Sequence, residues 1–231
     1  MTMAIGGFCD EGAVLLTDSL YTLRTPTGTR ALLYASPRFE LLPGCVGVAC
    51  LSANFRTGWA PSEASGLSSP TLEQGADGLL SDLAANGLSL NDYVTSDGQS
   101  HFPRGELVAA GRSADGLIRI AMRSTYRESV DPEPGHLVCA GAASSFQLIA
   151  DGVAPASTPF TLQQLTAIAL YVARAMVAIT YANEPAPDLH GLVDVLIGRG
   201  IPFWNHLPPF SPSFHVATVT EAGVMLQRYA E

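Results

Sequence analysis

Residues 2–18 read TMAIGGFCDEGAVLLTD. Two short apolar runs, residues 3–9 and 13–17, flank Asp10-Glu11-Gly12. Acidic residues followed by glycine form a turn signal, so the stretch reads as a β-hairpin. Neither run alternates apolar with polar. Strands of this kind are covered on both faces, so the hairpin belongs at the centre of a layered fold.

Outward from the hairpin, residues 38–42 and 45–51 (CVGVACL) read as extended. A helix is expected from Ser69, with Pro70 at its first helical position. Leu72, Ala76, Leu79, Leu80 and Leu83 share one face of it, and Asn86-Gly87 ends it. Residues 106–111 and 117–123 form a second hairpin around residues 113–116, and a further strand runs from His136 through Cys139 to Gly141. Ser144 with Gln147 reads as the capping box of a short helix, and Thr161 with Gln164 as that of a long one. The long helix carries Leu165, Ile168, Val172, Met176 and Ile179, and stops at Asn183 and Pro185. Strands near 191–197, 214–220 and 223–229 follow. The Pro- and aromatic-rich loop 201–214 reads either as a stiff surface connection or as a contact for another subunit.

Helices do not alternate one per strand, which argues against a doubly wound parallel sheet. The order fits an α+β sandwich of mostly antiparallel sheets. No repeat, low-complexity tract or linker divides the chain, so residues 1–231 are expected to form a single domain.

Composition removes several function classes. A formal charge of −9, with only 12 Lys and Arg and no basic run, argues against a nucleic-acid partner. Residues 162–182 are apolar enough to suggest a membrane helix, but they include Gln163, Gln164 and Arg174. An arginine at mid-membrane costs about 2.5–3.5 kcal/mol, so no membrane association is expected. Cys9, Cys45, Cys50 and Cys139 form no CxxC pair and have apolar neighbours, which reads as reduced core thiols. The first residues lack the basic start of a signal peptide, so a cytoplasmic location is expected. There is no GxSxG elbow, phosphate loop or HExxH, and the five histidines have no metal spacing. No metal or organic cofactor is expected. A Ser-His-Asp triad assembled in space stays open, without local support.

The remaining chemistry lies at the N-terminus. Once Met1 is removed, Thr2 carries a hydroxyl nucleophile and an amine base together. An unperturbed α-amine has a pKa of about 7.7–8.0, which leaves a useful neutral fraction near pH 7. A cation would tune that amine, a carboxylate would hold the cation, and backbone N–H groups would bind the oxyanion. Asp18, Arg38 and the turn Ser52-Ala53-Asn54 are the candidates for these parts.

Thr2-Met3-Ala4-Ile5-Gly6, followed by residues 10–19 ending in Asp18-Ser19, resembles the opening of proteasome β-type subunits. The spacing from Thr2 to Asp18 matches that family's spacing from nucleophile to aspartate. The Asp-Glu-Gly turn and Ser52-Ala53-Asn54 suggest the bacterial branch called Anbu. Specific motifs cover about the first fifty-four residues, and the coarse order of elements covers most of the chain. The resemblance implies a four-layer α-β-β-α sandwich, the N-terminal-nucleophile hydrolase fold, and self-assembly into rings or stacked oligomers. It implies Thr2 as nucleophile, Asp18 as carboxylate, and Arg38 in place of the active-site lysine, reached through extra residues in loop 22–37. It places Ser52 near the oxyanion-hole glycine, and Tyr21, Thr22, Cys50 and Asn54 beside the substrate.

The chain also departs from the family. Arginine stays charged and cannot shuttle a proton. Ser52 replaces a glycine, and the family's Ser-Gly pair is Gly141-Ala142 here. Only Asp188 and Asp194 approximate its late Asp-x-x-Ser. The resulting expectation is a threonine-type peptidase or amidase acting on amide bonds. The alternatives are a catalytically silent assembly or binding subunit, and a small-molecule amidase or acylase of the same nucleophile class.

Overall fold

The computed structural model describes residues 3–18, 20–24, 30–34, 39–53, 59–62, 66–88, 93–94, 100–101, 105–154, 159–181 and 213–229. The opening hairpin forms as read, with β1 (Met3–Cys9) antiparallel to β2 (Gly12–Asp18). Every residue of both strands is buried. Gly12 closes the turn at φ 145°, where a Cβ would lie 2.3 Å from the Val219 carbonyl oxygen. Only glycine meets both demands.

The following elements are β3 (Leu20–Arg24), β4 (Arg30–Tyr34), β5 (Phe39–Leu42) and β6 (Gly47–Ala53), then helix α1 (Leu72–Asp82). Next come β7 (Tyr93–Val94), β8 (Ser100–His101), β9 (Gly105–Arg112), β10 (Ile118–Ser124) and β11 (Leu137–Gly141). Helices α2 (Gln147–Val153) and α3 (Leu162–Tyr181) precede β12 (Phe214–Thr220) and β13 (Gly223–Tyr229). One antiparallel sheet has the order β11-β1-β2-β12-β13, and a second has the order β10-β9-β6-β5.

Strand alternation explains how these pieces stack. Met3, Ile5, Val14, Leu16, Cys139 and Phe214 face α2 and α3, where Leu165, Val172 and Met176 cover them. Ala4, Phe8, Leu15 and Val219 point the other way, into Val48, Val108, Ile120 and Met122 of the second sheet. The outer side of that sheet, with Leu51, Leu107 and Ala109, is covered by Leu72, Ala76, Leu79 and Leu83. The described residues therefore form an α+β sandwich with helices outside two antiparallel sheets. Among them, no helix is long and apolar enough to cross a membrane.

Local signals held where their partners are local. Gln164 N–H donates to Thr161 Oγ1 at 3.2 Å, and Thr161 N–H to Gln164 Oε1 at 2.9 Å, so the α3 capping box is present. Glu11 in the first hairpin turn adds a carboxylate at the same helix end, accepting from Leu162 N–H at 2.9 Å. Thr161→Ala is expected to cost about 1 kcal/mol, a melting shift of about 2–4 °C by calorimetry.

Four readings are corrected. The α1 cap is Thr71, whose hydroxyl accepts from Gln74 N–H, so Pro70 lies before the helix and not in its first turn. Ser144 caps nothing: its hydroxyl donates to Gly141 O at 2.9 Å inside a 3-10 turn, Ala142–Phe146. Gln147 is drawn away by strand β11. Loop 22–37 is not wholly loop, because β3 and β4 pair there as a hairpin. Also, residues 43–45 form a 3-10 turn, so the strand read at 45–51 starts at Gly47. The strand expected at 191–197 and nearly all of loop 201–214 lie outside the described residues.

Candidate active site

The layer between the sheets is apolar along most of its length and polar at one end. Thr17 follows Leu15 by two positions, Ser52 follows Cys50, Ser124 follows Met122, Glu106 precedes Val108 and His215 precedes Ala217. Each polar residue therefore continues an inward-facing apolar row, and all five are buried. Strand register gathers them: Ala4 is opposite Thr17, Thr17 opposite His215, and Glu106 opposite both Ser52 and Ser124. Glu106 joins the two sheets here, because one of its carboxylate oxygens accepts the N–H of Gly141, which lies opposite Met3.

Asp18 ends β2 at this same end of the first sheet, opposite Phe214 and on the face that Leu16 shares with the helices. It is 0% exposed, and its Oδ1 accepts the Met3 N–H at 3.1 Å. The adjoining Thr17 hydroxyl donates to Asp18 O at 3.3 Å. The nitrogen that Asp18 holds is the one that Met3 contributes to its peptide bond with Thr2. Thr2, Arg38 and Asn54 lie outside the described residues. Ser52 is buried near the end of β6, two residues beyond Cys50, which packs in the inter-sheet core. Tyr21 and Thr22 lie in β3, opposite Leu33 and Leu32 of β4.

The structure adds groups that the sequence reading passed over. The other oxygen of Glu106 accepts Arg127 Nε–H. Arg127 Nη2 also donates to Cys139 O at 3.0 Å and lies 3.2 Å from Met122 Sδ. The Ser124 hydroxyl accepts from Arg127 N–H at 3.2 Å, fixing the root of that side chain. One sequence signal pointed to Glu106: a lone charge inside the apolar run GELVAAG must find a partner.

His215 is 8% exposed, and its Nδ1 is buried without a hydrogen-bond partner among the described residues. Burial first, and then Arg228 beside it on β13, push its pKa below the ordinary histidine value. The folded chain thus resists the proton that the unfolded chain accepts. Stability is whole above the unfolded pKa, about 6.5, and falls as pH drops below it, by at most about 1.4 kcal/mol per pH unit. Urea titrations at pH 7.5 and 5.5 are expected to show this loss in the wild type and a smaller loss in His215→Phe.

The thiols are sequestered. All four cysteines are buried and unbridged. Burial drives Cys139 up to about 12 and Cys45 to about 11, so neither is a thiolate at neutral pH. Among the described residues, no group of three or more His, Cys, Asp or Glu side chains could hold a metal ion. What the arrangement offers is a buried carboxylate on the Met3 N–H, a hydroxyl-lined end of the inter-sheet layer and a fixed carboxylate–guanidinium pair. No protein-family model matches the chain, and no curated protein matches it.

Proposed function

We propose that the chain is an amide-bond hydrolase of the N-terminal-nucleophile class, resembling proteasome β-type subunits, with Thr2 as nucleophile after Met1 is removed. The observation that carries the reading is the buried Asp18 carboxylate holding the Met3 N–H at 3.1 Å, at the same end of the first sheet where the inter-sheet layer turns polar. A carboxylate there favours the positive charge that an N-terminal amine acquires when it takes a proton.

In this reading the Thr2 hydroxyl oxygen attacks the substrate carbonyl, and its proton passes to the Thr2 amine, directly or through water. The tetrahedral intermediate collapses, the C–N bond breaks and the leaving amine takes that proton. Water then hydrolyses the threonine ester. Backbone N–H groups near Ser52 serve the oxyanion, and Arg38 supplies positive field. Tyr21, Thr22, Cys50 and Asn54 belong to the substrate side. The chemistry needs no metal or organic cofactor. Assembly into rings or stacked oligomers, with a cytoplasmic location, belongs to the same proposal.

A silent assembly subunit is the second reading, favoured by arginine at position 38 where the family has lysine. Intact mass and one labelling experiment separate the two. Protein made in cells with normal methionine removal is expected to lack Met1 and to gain one adduct per chain from a threonine-directed electrophile. Quantitative retention of Met1 would refute the threonine mechanism. A panel of peptides set against small amides then distinguishes peptidase from amidase.

A further inference from the structure

We propose that Glu106 is a positioning residue of this site, acting through Gly141 and in concert with Arg127; the inference rests on the threonine-hydrolase reading above. Glu106 is 1% exposed, and both of its oxygens are committed, one to Arg127 Nε–H and one to Gly141 N–H. It reaches from the second sheet to the first, at the end where Asp18 lies.

Gly141 is where β11 gives way to the 3-10 turn, with φ 66° and ψ −133°, a conformation closed to residues with a Cβ. Its carbonyl accepts the Ser144 hydroxyl at 2.9 Å, so side chains hold both polar groups of this one residue. Its partner across the ladder is Met3, whose own N–H is held by Asp18. Two buried carboxylates from opposite sides therefore fix the two strand ends that meet beside the chain start.

Covering a sheet edge does not explain the charge. Further along the same edge, Gln147 accepts from Cys139 N–H and donates to Leu137 O, both at 2.7 Å, with a neutral amide. A buried ion pair carries a desolvation cost that a second glutamine would avoid. At the site end of β11 the Gly141 N–H is held instead by a carboxylate that is itself paired with a guanidinium. There it fixes a guanidinium and a backbone peptide together, in a chain whose family-type lysine is replaced by Arg38.

The test uses the full chain and the rate of adduct formation at Thr2, followed from pH 5 to 9 alongside the melting temperature. Glu106→Gln keeps an acceptor for Gly141 N–H but removes the charge. Arg127→Lys keeps a charge but loses the fork, and it leaves Glu106 with a cationic partner if the first variant folds poorly. Each is expected to slow labelling by about tenfold or more and to move the midpoint of the pH profile by about half a unit. A purely structural role would lower the melting temperature and leave that midpoint in place. Folded variants that label at the wild-type rate with the wild-type midpoint overturn the inference while the hydrolase reading stands. A wild-type chain that takes no label overturns both.

Discussion

Asp18→Asn is expected to slow electrophile labelling of Thr2 by at least about a hundredfold, and Thr2→Ala to abolish it. The asparagine is chosen because it keeps an oxygen where Oδ1 now accepts the Met3 N–H at 3.1 Å. The backbone bond survives, and only the charge is lost. A unit charge about 5 Å away, at an effective dielectric of about 20, is worth about 3 kcal/mol, or about two decades in rate. Asp18→Ala removes the acceptor as well, leaving a buried N–H unmet at a cost of about 1–3 kcal/mol in stability. The two variants thus divide electrostatics from folding. If Asp18→Asn protein with Met1 removed labels at the wild-type rate, the carboxylate has no part in the chemistry.

What the sequence revealed followed the range of the interactions involved. The hairpin from Met3 to Asp18 was legible because its turn residues and apolar runs are contiguous, and its burial on both faces follows from the lack of alternation. The α3 cap was legible because Thr161 and Gln164 satisfy one another. Ser144 and Gln147 show the same spacing, yet the strand edge at Leu137 and Cys139 competes for the glutamine and wins. No local pattern could report that competition. The pairing of β3 with β4 was legible too, since Pro26 and Gly28 stand between two extended runs, but the reading of residues 22–37 as one loop passes over it. The site shows the same division. Asp18 stood out by its distance from Thr2, whereas Glu106, Arg127 and His215 come from three separate stretches that only the strand register brings to one end.

Arg127→Ala is expected to destabilise the protein more than Arg123→Ala, although Arg127 is the more exposed of the two. The Arg127 side chain is 31% exposed and that of Arg123 10%. Arg123 bridges Asp77 of α1 at 2.7 Å and Asp131 at 2.6 Å, but both aspartates are 64% exposed. Freed of the arginine, they return to water, and the loss is that of surface ion pairs plus some packing, about 1 kcal/mol. Arg127 pairs with a carboxylate that is 1% exposed and cannot follow that route. Breaking such a pair from one side costs about 3–5 kcal/mol; the partial exposure of Arg127 places it at the lower end, a melting shift of about 6–12 °C. Urea denaturation of both variants makes the comparison. The double variant Arg127→Met with Glu106→Gln closes the argument. It leaves no unpaired charge and keeps an acceptor for Gly141 N–H, so it is expected to recover to within about 1 kcal/mol of the wild type. Recovery of stability without recovery of labelling would separate what the pair does for the fold from what it does for the site.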